Sequence, residues 1–203
     1  MNTNTGFADQ YLEESKKIIE QLDRNAIENM TLLLAKLRDE GGRLFLVGVG
    51  GGAGHAGHAV NDFRKLAGIE SYSPSDNISE LTARTNDEGW DTTYSAWFKV
   101  SRLSPKDMLF IFSVGGGDLE KNISPNIVRA VKYAKEVGSS VIGVLGRDGG
   151  YTASVADAFV IVPTVNKDNV TPHTESFQAL VWHLLVSDPR LQKMSNKWES
   201  STK

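Results

Sequence analysis

The chain has 203 residues, a formal net charge of −3 at pH 7 and no cysteine. The missing cysteine excludes disulfides, thiolate metal sites and a cysteine nucleophile. The slightly acidic balance gives no electrostatic support for binding nucleic acid or an anionic membrane. We find no apolar run of the ~18 residues that a membrane span needs and no signal-peptide core, so we expect a cytoplasmic protein.

The first 40 residues carry a helical pattern. Apolar residues recur every three to four positions between Ala8 and Glu40. This spacing predicts one long amphipathic helix, or two helices with a break near Asn25. The glycines of "EGG" suit the end of that segment. Its apolar stripe could pack on its own domain or on a second subunit.

Short apolar runs then alternate with helical patterns. The runs, which predict strands buried on both faces, are 43–49, 107–114, 140–146 and 158–163. The helical patterns cover 53–66, 90–103, 124–138 and 172–186. The segment "GIESYSPSD" has few apolar residues and is a poor candidate for a strand. This alternation predicts an α/β protein with a mainly parallel sheet covered by helices on both faces.

Three of the predicted strands end in glycine-rich loops: "GVGGGAG", "SVGGGD" and "GRDGG". Glycine lets the backbone approach a ligand closely, and a loop that leads into a helix N-terminus favours an anion. Ligands of parallel sheets bind at the carboxyl ends of strands. We therefore predict one shared pocket for an anionic ligand. Its candidate residues are Gly50, Gly51 and Gly52 in the first loop and Ser113, Gly115, Gly116 and Gly117 in the second.

Two other interpretations of these glycines remain open. They could simply make tight turns between strands and helices. Gly48, Gly50 and Ala53 also match a dinucleotide-binding fingerprint, with Glu70 at the expected distance. We favour this second alternative less, because Glu70 lies in the poor strand candidate.

The histidines suggest a metal site. His58 and Asp62 stand four residues apart, so a helix places them on one face. Imidazole and carboxylate together suit a divalent metal, although such a pair can also be a plain surface hydrogen bond. His183 in "LVWHLL" could be a core histidine or a ligand. Glu175 is about 12 Å from His183 on a straight helix, so both could bind one metal only if the helix begins or bends between them, or across two subunits.

These segments, together with "TNDEGWDTTYSAW" and the last helix, resemble the sugar isomerase (SIS) domain and, within it, the phosphoheptose isomerase family. The resemblance covers nearly the whole chain. It implies a flavodoxin-like three-layer fold, with residues 1–203 as a single SIS domain and residues 1–40 as an N-terminal helical segment. It also implies a homotetramer with active sites at subunit interfaces, a phosphorylated sugar as ligand, and a divalent metal, with zinc as the expected ion.

The resemblance also implies roles for individual residues. The family's metal ligands fall on His58, Asp62, Glu175 and His183, and an aspartate near the substrate falls on Asp87. The family's phosphate loop falls on residues 113–118, where this chain keeps a single hydroxyl residue and adds an acidic one. Lys121 or Arg147 is then a candidate cation for the phosphate. In the first loop Gly52 replaces the family's usual serine.

The implied reaction is an aldose–ketose isomerisation. It would convert sedoheptulose 7-phosphate to D-glycero-D-manno-heptose 7-phosphate through an enediol(ate), for a surface polysaccharide. We expect Asp62 and His183 to transfer the proton from opposite sides of the open-chain sugar, with Glu88 as the alternative base. Two alternatives stay open: a non-catalytic phosphosugar-binding or regulatory SIS protein, and an isomerase of another sugar phosphate.

Overall fold

The computed structural model describes residues 6–194 of the chain. Its centre is a parallel sheet of five strands in the order β2-β1-β3-β4-β5. The strands are β1 (Leu44–Gly48), β2 (Ser71–Tyr72), β3 (Met108–Ser113), β4 (Ser140–Leu145) and β5 (Ala158–Ile161). This is the flavodoxin-like strand order, and it confirms the predicted fold class.

Eight α-helices surround the described sheet: α1 (Phe7–Gln21), α2 (Arg24–Asp39), α3 (Gly51–Lys65), α4 (Ile78–Glu88), α5 (Thr93–Val100), α6 (Pro125–Glu136), α7 (Gly150–Val155) and α8 (Val170–Ser187). A short 3-10 helix at Lys167–Asn169 precedes α8. One apolar core lies between the sheet and α1, α2, α3 and α8, and a second core lies on the other face beneath α5 and α6. The sheet therefore has apolar packing on both faces, as its continuous apolar strands predict.

The N-terminal segment forms two helices, the second of the two alternatives left open above. The break comes at Asp23, two residues before the predicted position. The Asp23 carboxylate caps α2 by accepting hydrogen bonds from the backbone N–H groups of Asn25 at 2.9 Å and Ala26 at 3.1 Å. This cap satisfies two amides that the start of a new helix would otherwise leave unpaired.

The structure corrects one prediction: the poor strand candidate does form a strand. Ser71 and Tyr72 pair with Leu44 and Phe45 at the edge of the sheet. Only two residues pair, and the strand has one neighbour, so it needs little of the apolar character that central strands require. Helices α4 and α7 were also absent from the sequence prediction. No residue of α4 is buried, so its sequence has no clear apolar face.

A polar network joins α1 to the start of α8. The Glu14 carboxylate accepts hydrogen bonds from Asn169, Gln10, His173 and Asn166 at 2.6–2.9 Å. These hydrogen bonds lower the pKa of Glu14 to about 2, and the bond from Asn169 makes the largest contribution to this shift. His173 is 3% exposed and stacks on the Tyr11 ring. The network fixes the first turn of the helix that carries Glu175 and His183.

Candidate functional site

Three of the predicted metal ligands come together where α3 packs against α8. One ligand atom from each of His58, Asp62 and His183 lies within 4.8 Å of the other two. Asp62 is 3% exposed, while both histidines are open to solvent. A buried carboxylate with two accessible imidazoles is a donor set that suits a divalent metal such as zinc. The positions and the donor atoms of these three residues therefore suit a divalent metal ion.

Hydrogen bonds orient two of these ligands. The Nδ1 atom of His183 donates to the carbonyl oxygen of Ala179 at 2.8 Å. A carbonyl can only accept, so neutral His183 carries its proton on Nδ1 and has a free electron pair on Nε2. That Nε2 atom faces Asp62 Oδ2 at 4.0 Å. Asn61 donates to the other Asp62 oxygen, Oδ1, at 2.8 Å and leaves Oδ2 available.

Trp182 forms the apolar side of the cluster. It is fully buried, and its ring meets the ring of His58 edge-on, with centroids 4.7 Å apart. The rings of His58 and His183 are nearly perpendicular, with centroids 5.5 Å apart. This packing limits the rotation of the imidazoles, which keeps the donor set in place before any ion binds.

The structure does not bring Glu175 to this cluster within one chain. Glu175 and His183 lie on the continuous helix α8, which begins at Val170, before both of them. They are therefore about 12 Å apart along its axis. The Glu175 carboxylate instead lies beside the start of α3, where a Cβ on Gly51 would be 2.4 Å from its carboxyl carbon. Of the arrangements considered from the sequence, a site shared between two subunits is the one that stays a prediction for Glu175.

Glu175 belongs to a cavity of about 210 Å³ at the carboxyl ends of the strands. We call this the inner cavity; it is lined by Val49, Gly52, Phe112, Ser113, Val114, Gly115, Ile123, Ser124, Arg147, Thr171, Glu175 and Gln178. His55 lies beside Glu175. Burial lowers the pKa of His55, and the nearby Glu175 charge partly opposes this shift. A cavity is therefore present at the glycine loops, and it contains a carboxylate; that it binds an anionic ligand stays a prediction.

The polar groups and glycines of the second glycine loop form hydrogen bonds within the loop and pack against the "GRDGG" loop and the start of α7. Ser113 Oγ accepts from Gly116 N at 3.0 Å, and the Gly116 carbonyl accepts from Thr152 Oγ1 at 2.7 Å. A Cβ on Gly116 would be 1.7 Å from the Gly149 carbonyl oxygen, and one on Gly117 would be 2.5 Å from Val128. These two glycines are thus required for close packing. A Cβ on Gly115, by contrast, would meet nothing within 4 Å, and Gly115 lines the inner cavity.

In the first loop, Gly50 has a φ of +59° and caps the start of α3. Gly52 is buried, and a Cβ there would be 2.5 Å from the Phe112 carbonyl oxygen. A serine at position 52 would therefore collide with the end of β3 in this arrangement. The glycine that replaces the family's usual serine lets α3 begin close to the sheet.

The remaining predicted residues lie apart from the inner cavity. Asp87 is exposed near the end of α4, where Asn86 donates to it at 2.7 Å. Glu88, the alternative base, forms an ion pair with Arg84 at 3.2 Å on the same helix. Lys121 pairs with Asp118 at 3.2 Å and lines a larger, outer cavity. Within the described chain, none of these three joins the metal cluster.

Sequence reasoning missed several cavity residues, of which Ser124 is the clearest. It is the N-cap of α6, with a φ of +48°, and it lines the inner cavity together with Glu175. A serine directly before Pro125 is a helix-start signal that could have marked it. Gln178 stands near Glu175 in the sequence but was assigned no role: it is fully buried, donates to the Val144 carbonyl at 3.3 Å and has no partner for Oε1.

Comparison with known proteins identifies the class of protein. A family model of the SIS domain matches residues 10–146, more than half of the chain. The chain belongs to the SIS domain family. No helix among residues 6–194 is long and apolar enough to cross a membrane.

Individual relatives narrow the family. Lincomycin biosynthesis protein LmbN from Streptomyces lincolnensis is 32% identical over 180 residues, which are 86% of this chain and 65% of that protein. Phosphoheptose isomerase from Helicobacter hepaticus is 31% identical over 166 residues, 79% of each chain. The structure of phosphoheptose isomerase GmhA from Neisseria gonorrhoeae has a TM-score of 0.74 at 25% identity and covers 88% of this chain and 94% of its own. Within the SIS domains, this chain is a member of the phosphoheptose isomerase family.

Proposed function

We propose that this protein is an aldose–ketose isomerase that converts sedoheptulose 7-phosphate to D-glycero-D-manno-heptose 7-phosphate. The observation that carries the proposal is the cluster of His58, Asp62 and His183, formed on a chain of the phosphoheptose isomerase family. A protein that only bound a phosphosugar would not need this set of proton-accepting and metal-binding atoms. We include residues 1–203 in a single SIS domain, and the cytoplasmic location stays a prediction.

The reaction moves a proton between two adjacent carbons through an enediol(ate), so it needs a base, an acid and stabilisation of the developing oxyanion. Asp62 Oδ2 and His183 Nε2 both point into one small space. Each of these atoms can accept a proton or bind a metal, but not both at once, so proton transfer by either group requires that it is not bound to the ion at that moment. Their 4.0 Å separation leaves no room for a sugar carbon between them. This geometry disfavours proton transfer by Asp62 and His183 from opposite sides of the sugar, so we propose that the two groups act from one side.

Zinc is the metal we propose for this cluster, held by His58, Asp62 and His183, and it would polarise the carbonyl and hydroxyl oxygens of the sugar when bound. The chain's own residues orient the site: Ala179 holds the proton of His183 on Nδ1, and Asn61 holds one Asp62 oxygen. Glu175, carried by the same helix as His183, would complete the donor set from a neighbouring subunit.

That arrangement requires a contact between subunits, and we propose the homotetramer with interface active sites that the family resemblance implies. Exposed apolar side chains along the N-terminal helices support it, with Phe7 69%, Leu12 61% and Leu32 53% exposed. Large apolar groups in water favour a contact between subunits. Asp87, exposed at the end of α4, would reach the sugar across such a contact.

Turnover of sedoheptulose 7-phosphate, followed by the aldose product, tests this proposal. We expect Asp62→Ala and His183→Ala each to lower kcat by at least ~10² with the fold intact. Asp168→Ala, which removes an exposed carboxylate on the 3-10 helix, is the matched control and should keep wild-type turnover. Near-wild-type turnover in either site variant would contradict the assignment.

The second glycine loop favours another sugar phosphate as the alternative substrate. Gly116 and Gly117 serve packing, and Ser113 is the one hydroxyl residue left in residues 113–118. A wild-type protein that isomerises a hexulose phosphate but not sedoheptulose 7-phosphate would support this alternative. A wild-type protein that binds both sugars and turns over neither would instead support a binding or regulatory role.

A further inference from the structure

Two cavities meet at Arg147. The outer cavity has a volume of about 840 Å³ and lies between the second glycine loop and the "GRDGG" loop. Its lining shares three residues with that of the inner cavity: Gly115, Ile123 and Arg147. Arg147 is therefore the one cationic side chain that lines both described cavities. A ligand that extends from Glu175 outward passes this guanidinium.

The Arg147 guanidinium is free to bind a ligand. Across residues 6–194 it forms no hydrogen bond and no ion pair, although Asp118, Glu120 and Asp148 line the same outer cavity. Arg147 and Lys121, the other cation there, are both exposed, but Lys121 is already paired with Asp118 at 3.2 Å. Arginine offers five N–H donors in a planar arrangement that matches a phosphate group.

The backbone holds Arg147 in a conformation that glycine would adopt more easily. Its φ is +51°, in the left-handed region that side chains with a Cβ disfavour. Tight packing fixes the turn: a Cβ on Gly146 would be 2.5 Å from Thr174 Oγ1, and Gly149 N donates to the Gly146 carbonyl at 2.9 Å. Strained residues of this kind are found at functional sites, where the side chain has a use.

The inner cavity needs a cation if a phosphate binds there. It already contains the Glu175 carboxylate, and the Gly116 amide is occupied by Ser113. Ser113, Ser124 and Thr171 can offer hydroxyl groups but no positive charge. Burying a phosphate dianion beside a carboxylate without a positive charge is strongly unfavourable.

We propose that Arg147, and not Lys121, binds the phosphate group of the sugar at the junction of the inner and outer cavities. This inference rests on the proposed function for the choice of a sugar phosphate as ligand. Arg147 would supply the positive charge for the phosphate, since the second glycine loop has a single hydroxyl residue and no cation in residues 113–118.

The test compares Arg147→Gln with the matched control Lys121→Gln. We expect Arg147→Gln to raise KM for sedoheptulose 7-phosphate by about 10- to 100-fold with kcat within about threefold, because a hydrogen-bonded charge is lost. The inhibition constant of inorganic phosphate should rise by a similar factor. Lys121→Gln should change each value by less than about threefold. Unchanged KM in Arg147→Gln, or the larger effect in Lys121→Gln, would overturn the assignment.

Two further measurements separate this inference from other failures. Arg147→Gly removes the charge and also the backbone strain, so its Tm should equal or exceed that of the wild type while phosphate binding weakens. A lower Tm together with unchanged phosphate binding would show that Arg147 is structural. If the wild type does not isomerise sedoheptulose 7-phosphate, calorimetry with inorganic phosphate still tests Arg147: weaker binding in Arg147→Gln supports the inference, and equal binding overturns it.

Discussion

The hydroxyl of Tyr94 connects α5 to the end of β1, where the first glycine loop begins. Tyr94 is 1% exposed, and its hydroxyl donates to the Gly48 carbonyl at 2.7 Å. Tyr94→Phe keeps the ring and its packing but leaves this buried carbonyl without its donor. Losing one partner of a buried hydrogen bond costs about 2 kcal/mol. For a chain of this length, that corresponds to a decrease in Tm of about 4–8 °C.

The same variant has a distinct effect at alkaline pH. Burial raises the pKa of Tyr94 to about 12 from an ordinary value of 10. A raised pKa favours the neutral phenol in the folded state, so its stabilisation is present below pH 10 and is lost as the pH rises toward 12. The unfolding free energy of Tyr94→Phe should therefore fall less than that of the wild type as the pH rises above 10.

Denaturant unfolding from pH 7 to 11 measures both effects. Tyr72→Phe is the control, because its hydroxyl binds Glu70 at 2.8 Å on a residue that is 38% exposed. We expect that control to change the unfolding free energy by less than about 0.5 kcal/mol. Equal stability of Tyr94→Phe and Tyr72→Phe at pH 7 would refute the argument that the Tyr94 bond supports the glycine loop.

Two more substitutions test the packing around the site. Because the pKa of Glu14 is lowered, its carboxylate stabilises the fold above pH 4.5, and this stabilisation is lost as the pH falls toward about 2. Glu14→Gln should therefore lose less stability than the wild type between pH 4.5 and about 2, as measured by urea unfolding at several acidic pH values. An equal loss of stability in both proteins over this range would contradict the prediction. Gly116→Ala should destabilise by more than about 2 kcal/mol, because its φ is +67° and its Cβ meets the Gly149 backbone, whereas Gly115→Ala, with open space, should stay within about 0.5 kcal/mol. Equal melting of the two alanine variants would contradict this packing.

Much of the fold could be predicted because its signals are local. The central strands are continuous apolar runs, and the pair His58 and Asp62 follows directly from helical spacing. The edge strand at Ser71 was missed because two paired residues carry too weak a pattern. The helix break at Asp23 depends on a side-chain cap, which apolar periodicity does not register.

The parts of the site that sequence reasoning could not place depend on long-range packing. His183 joins Asp62 because α3 and α8 pack together, 121 residues apart in sequence. The spacing of Glu175 and His183 indicated that one chain could bring both to one metal only if the helix began or bent between them, and α8 is continuous through both positions. The sequence around Arg147 and Lys121 does not distinguish the two as phosphate ligands. In the structure Lys121 pairs with Asp118, whereas Arg147 lines both cavities.

The most direct test of the account is the turnover of sedoheptulose 7-phosphate by the purified protein before and after removal of metal with a chelator. We predict turnover that is abolished by chelation and restored by zinc, together with loss of that restoration in His58→Ala. Turnover that survives complete metal removal would contradict the metal role of the His58, Asp62 and His183 cluster. Absence of turnover with every divalent metal would contradict the isomerase proposal itself.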